Sequence, residues 1–298
     1  MIRVPEDATR DMLHVCRRLY ERGLVAGADG NVSIRLAKDR VLATPTGRSK
    51  GFIGAGDLVV CDLQGRQLDG KLRLTTEIKI HLVAYELRDD VCAVVHAHPP
   101  YATAFAVAGE VPSEKLMPEA YIAVGKVALA PYGTPSTDEL ADTLRPVVRE
   151  HDAILLANHG AMTLGRDAVA AYHRMEALEQ LCRITFITRV LGGARQLGAE
   201  EMAKLDEIRG VYGTAAPNTP CYHCGWSPEL ERVRSHPGAV REDEPVGDAP
   251  PRPHGYTDPE VHWPGNPPVW ERPGSPPTLE EAQVRDLVRR ELRKSKAE

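Results

Sequence analysis

The sequence has no apolar run approaching the roughly 20 residues that a bilayer span needs. Its first residues, MIRVPEDATRDML, carry acids and no apolar segment. Neither a membrane span nor a secretory leader is therefore expected. Positive charge is not in surplus: the net charge is −5 and the pI is near 6.1, which gives no electrostatic reason to bind nucleic acid. Cysteine is sparse. Of six in 298 residues, only Cys221 and Cys224 lie close together. Scattered thiols in a long chain fit a reducing compartment, so the cytoplasm is the expected location. No internal repeat is found. What remains is a chain long enough for one large domain or two small ones.

The spacing of apolar residues predicts a helix over 6–22, stopped by Gly23. A turn-rich stretch at 27–31 feeds an alternating strand at 32–36, and a second strand follows at 41–44. Two loops, around Gly30-Asn31 and Thr44-Pro45-Thr46-Gly47, thus stand at opposite ends of a hairpin-like unit. Their backbone N–H groups and small side chains could cradle an anion, although each alone is an ordinary turn. A strand pair is expected across 57–63 and the turn at Gly65. Thr75 or Thr76 then caps a helix with Glu77 in its first turn, where free N–H groups and the helix dipole suit a phosphate. Read alone, Glu77 is a first-turn carboxylate favoured by that dipole.

Residues 91–100 read VCAVVHAHPP, a buried strand stopped by two prolines. Side chains two apart on a strand share a face, roughly 6.5–7 Å apart along it. His96 and His98 could lean onto one metal ion, or be one half-buried histidine and a bystander; the end of an apolar strand favours metal. Further on, a helix is expected over 101–108 and a strand over 127–130. Ser136-x-x-Glu139 reads as a capping box opening a helix to about residue 149. A buried strand at 153–157 ends in Asn158-His159-Gly160. A long helix over 166–191 has Ala168, Ala171, Tyr172, Met175, Leu178, Leu181 and Cys182 on its core face. Fifteen of the 24 prolines follow Gly210. Residues 1–208 are accordingly expected to form one packed domain, and 209–298 a Pro-rich extended arm ending in a short helix at 278–294. Cys221 and Cys224 read as loop thiols rather than a zinc knuckle, since no second Cys-x-x-Cys follows.

The ordered set GNVS (30–33), TPTG (44–47), TTE (75–77), HAHP (96–99), APY (130–132) and NHG (158–160) resembles the class II aldolase/adducin family over residues 8–190. The resemblance implies an α/β fold: a central, largely antiparallel sheet flanked by helices in three layers. It implies that His96, His98 and His159 hold Zn2+, with Mn2+ or Co2+ as alternatives. Glu77 would be the catalytic acid/base, approaching the metal when substrate is absent. Gly30, Asn31, Thr46, Gly47, Thr75 and Thr76 would bind a substrate phosphate. A homo-oligomer is implied, a tetramer above all.

The implied reaction is cleavage of a ketose 1-phosphate, of the fuculose or ribulose type or a 5-deoxy or methylthio pentulose, to dihydroxyacetone phosphate and an aldehyde. Rivals at the same site are decarboxylation of a phosphorylated sugar acid and 4-epimerisation of a pentulose phosphate. A non-catalytic adducin-like module is more remote, because it would lack the metal histidines. Aldolases of this family use a tyrosine lent by a neighbouring subunit. Tyr121 and Glu119 are the candidates here, but neither falls cleanly on that position, and Tyr121 reads first as a packing residue.

Overall fold

The structure is a computed structural model, and it describes residues 2–212. In chain order its elements are α1 (Glu6–Glu21), β1 (Asn31–Ala37), β2 (Arg40–Ala43), β3 (Val59–Cys61), β4 (Gln67–Asp69), α2 (Ile78–Leu87), β5 (Ala93–Ala97), α3 (Pro100–Ala108), α4 (Pro118–Ala123), β6 (Val127–Ala130), α5 (Asp138–Val148), β7 (Ala153–Leu156), β8 (Gly160–Gly165), α6 (Ala168–Val190) and α7 (Ala199–Tyr212). The expected arm, the Cys221/Cys224 pair and the C-terminal helix lie outside the described residues.

The eight strands make one sheet, ordered β4-β3-β2-β1-β5-β8-β7-β6. Every neighbouring pair is antiparallel except β6 and β7. The expected α/β fold is therefore present, with helices on both faces. On one face, Met12, Val15 and Leu19 of α1, Phe105 of α3 and Met175 and Leu178 of α6 pack on Val32, Ile34 and Val95. On the other, Ile80 and Val83 of α2 and Leu140 and Leu144 of α5 pack on Val41, Val94, Ile154 and Leu156. Strand alternation places Val94 on the α2 face, and His96 follows it there.

Amphipathic helices stand close to their expected places. All seven residues assigned to the core face of α6 are buried, and Asp167 caps it by accepting from the Ala170 N–H at 2.7 Å. Three elements were not anticipated: α4, α7 and β8. Strand β8, GAMTLG, has glycine at both ends and is fully buried. It lies inside the sheet, between β5 and β7.

Two local expectations are corrected. The capping box at Ser136 does not form, because Thr137 is the N-cap residue of α5 and Ser136 adopts φ 67°. The Ser136 hydroxyl instead donates to Thr76 Oγ1 at 2.8 Å, while Glu139 accepts from the Thr134 N–H. Secondly, the Gly30 and Thr46 loops do not end up apart. Antiparallel pairing of β1 and β2, with Ser33 opposite Ala43, folds both ends of the hairpin to one edge.

Candidate metal centre and substrate pocket

The pairing of β5 with β8 sets Ala97 opposite Ala161, and the β7–β8 hairpin sets Leu156 opposite Gly160. The hairpin turn has Asn158 in the left-handed region at φ 55°, so His159 is presented at the same sheet edge as His96 and His98. Gly160 is required there: a Cβ would come 2.5 Å from His98 Cδ2 and 2.6 Å from the Ala97 carbonyl oxygen. Gly30 faces a similar limit, with φ +69° and the His96 carbonyl oxygen 2.7 Å from any Cβ.

The three imidazoles converge, with ring centroids 4.8–5.0 Å apart and ligand nitrogens within 4.8 Å of one another. His96 Nδ1 bonds the Ala161 carbonyl at 3.0 Å, so its lone pair is on Nε2. His98 Nδ1 faces the Asp29 carboxylate at 3.3 Å. The two Nε2 atoms then stand 3.2 Å apart. Neutral imidazoles fixed in this way turn two lone pairs on each other, and a cation between them removes the repulsion. His159 Nδ1 and Glu77 Oε1 are buried without a hydrogen-bond partner, a state that folded proteins rarely leave unresolved. This donor set fits a divalent metal.

Glu77 is the N-cap residue of α2, not a first-turn residue, and its side chain leaves the helix end. Its carboxylate reaches His159 Nε2 at 3.2 Å and His96 Nε2 at 3.4 Å. Burial alone would lift its pKa. With His159 and His96 protonated, their hydrogen bonds and charge outweigh that and hold the carboxyl well below the usual range; with the rings neutral that support is absent. Burial presses His98 down to about 4, aided by charge on His96 and His159 and opposed by Asp29.

Behind Glu77 runs a buried chain of hydrogen bonds. Asn31 Nδ2 donates to Glu77 Oε2 at 2.9 Å, and Asn31 Oδ1 accepts from His81 Nε2. His81 Nδ1 and the Tyr85 hydroxyl each lie 2.7 Å from Ser33 Oγ. The polar side chains of β1 therefore meet α2 rather than water. The Asn31 amide, expected at the phosphate, is bonded to Glu77 and His81.

A pocket of about 400 Å3 joins these parts. Among its lining residues are Glu77, His98 and His159, and the whole expected set Gly30, Asn31, Thr46, Gly47, Thr75 and Thr76. Such a volume suits a small ligand. Lys50 and Ser136 also line it. Sequence reasoning missed both, and it missed His81; their roles depend on partners distant in sequence. Tyr121 and Glu119 do not line this pocket. Tyr121 is buried on α4 with its hydroxyl bonded to Asp206 of α7, and Glu119 is exposed.

The chain belongs to the class II aldolase and adducin N-terminal domain family, whose model matches residues 10–186. It is 38% identical over 182 residues to an L-fuculose phosphate aldolase of Methanococcus maripaludis, covering 61% of this chain and 97% of that one. It is 35% identical over 179 residues to a 3-oxo-tetronate 4-phosphate decarboxylase of Haemophilus influenzae, covering 59% and 85%. A solved L-fuculose 1-phosphate aldolase superposes with a TM-score of 0.63 at 30% identity, over 68% of this chain and 96% of that one. Among the described residues, no helix is long and apolar enough to cross a membrane.

Proposed function

We propose that the protein is a cytoplasmic, zinc-dependent, homo-oligomeric aldolase that cleaves a ketose 1-phosphate to dihydroxyacetone phosphate and an aldehyde. The observation that carries this reading is the cluster of three imidazoles at the pocket formed by the Gly30, Thr46 and Thr75 loops, which His98, His159 and Glu77 line. His96, His98 and His159 would hold the metal, and an all-imidazole set suits zinc. Bound there, the metal would supply Lewis-acid stabilisation of negative charge developing on the substrate oxygens.

The remaining work falls to the chain. The loops at Gly30, Thr46–Gly47 and Thr75–Thr76 hold the phosphate end, and this remote binding orients the C3–C4 bond. When that bond breaks, its electron pair stays on C3 and the C4 hydroxyl becomes the aldehyde by giving up its proton; Glu77 takes up that proton and returns it to C3, so no net proton is gained or lost. Asn31 fixes one carboxylate oxygen, Oε2, leaving the other, Oε1, beside His159 without a hydrogen bond and free to carry the proton. This reading gives Tyr121 and Glu119 no step.

The resemblance to a decarboxylase favours a second reading in which a phosphorylated sugar acid loses CO2 from the same site. One incubation separates the two: metal-loaded protein with ketose 1-phosphates and 3-oxo acid phosphates, scored for aldehyde and for CO2. Aldehyde release from a ketose phosphate is expected, and CO2 release alone would replace the first reading by the second. His96→Ala should lose both bound metal and turnover. Full turnover without metal would refute the proposal.

A further inference from the structure

Lys50 is the one Lys or Arg among the described residues lining the pocket, and it is only 2% exposed. Its ammonium donates to two carbonyl oxygens, those of Ala28 at 2.9 Å and Arg48 at 2.6 Å. Those acceptors lie beside Gly30 and Gly47, so the charge stands between the first two loops assigned to phosphate. An ammonium has three donors, and the third has no acceptor among the described residues. Neither carbonyl carries a charge. Burial works against the charged form of Lys50, and Cys16, Asp29 and Glu77 oppose that only by longer-range attraction. Burying an ammonium without a counter-ion costs free energy that carbonyls only partly return. A lysine that merely tied two loops together would need no charge at all.

We infer that Lys50 is a substrate-binding residue whose ammonium pairs with the phosphoryl group of the substrate. The claim rests on the sugar-phosphate reading of this pocket and adds to it the cation that a dianion requires. The loops themselves contribute hydroxyls and N–H groups, which are neutral donors. A charge-assisted hydrogen bond from Lys50 would be the strongest single contact at that end.

The test is titration of the full chain with inorganic phosphate, as purified and again with a chelator present so that no metal binds the anion. Parent, Lys50→Gln and Lys50→Met are compared. Glutamine keeps two N–H donors and removes the charge, on a side chain one bond shorter. Roughly 10- to 100-fold weaker phosphate binding is expected in both variants, the size of a lost charged hydrogen bond. Metal content and melting temperature should be retained. Equal phosphate affinity in parent and Lys50→Gln, or no phosphate binding by the parent, overturns the inference.

A variant that loses metal or cooperative melting is replaced by a measurement on the parent. Phosphate should slow acetylation of Lys50 several-fold, read by mass spectrometry of the peptide, and an unchanged rate overturns the inference. Failure of the aldolase reading shows separately: a parent that binds phosphate through Lys50 but cleaves no ketose phosphate keeps this contact and loses that reaction.

Discussion

Glu77 lies against His159 and His96 on one side and takes a hydrogen bond from Asn31 on the other. Replacing it by glutamine leaves the three imidazoles in place. Glu77→Gln should therefore retain about one metal per chain by elemental analysis, while kcat falls about 10²- to 10⁴-fold, the usual worth of a positioned acid/base. Unchanged kcat would remove Glu77 from the chemistry.

His81 makes a prediction about pH. Burial first, and then charge on His96, presses it down to about 3, so the folded protein keeps it neutral. The unfolded chain protonates it near the ordinary 6.5. Its stabilising contribution is full above that ordinary value and is lost as pH falls toward the folded one, at about 1.4 kcal/mol per pH unit. Denaturant midpoints measured near pH 7 and near pH 5 should differ more in the metal-free parent than in His81→Gln. Equal differences would mean that His81 is not held neutral. His96, His98 and His159, which the structure clusters, stood out in the sequence because each lies at or just past the end of an apolar strand. His81 and Lys50 were not, because each acquires meaning only from a partner 22 or 50 residues away.

At the scale of elements, legibility followed periodicity. Helices α1 and α6 bury one stripe and expose the rest, so their spacing declared them. Strand β8 is buried on both faces and bounded by glycines, which leaves it no alternation to read. The capping box at Ser136 failed for a different reason: a hydroxyl from another element, Thr76, competes for the serine. The hairpin joining β7 to β8 carries the sharpest test of assembly. In Gly160→Ala the new methyl group meets the His98 ring and the Ala97 carbonyl, so the ring must turn away. Metal affinity, measured by competition with a chromophoric chelator, should fall about 10- to 100-fold, the range for disturbing the support of a metal ligand. Undiminished affinity would show that His98 is not held by that contact.

For the whole molecule, the two cores seen among the described residues draw their buried members from residues 8–182, and the family match ends at residue 186. A chain ending after residue 212 should keep cooperative unfolding and its metal, as calorimetry and elemental analysis would show. Loss of either would make the C-terminal third part of the folding unit. Binding a metal to the native state alone also stabilises it. At a free concentration about 100 times its Kd the gain is about 2.7 kcal/mol, so a chelator should lower the melting temperature. An unmoved transition would mean that no such ion was bound.

His96 and Ala161 touch across 65 positions of sequence, and His159 arrives on the same hairpin as Ala161. The imidazoles therefore cannot surround one ion until this distant strand pairing has closed, a slow class of event in folding. Cobalt supplied during refolding would change its visible absorbance only at that moment. In a stopped-flow refolding experiment, visible absorbance would then time the closing of the middle of the sheet, with no fluorophore added.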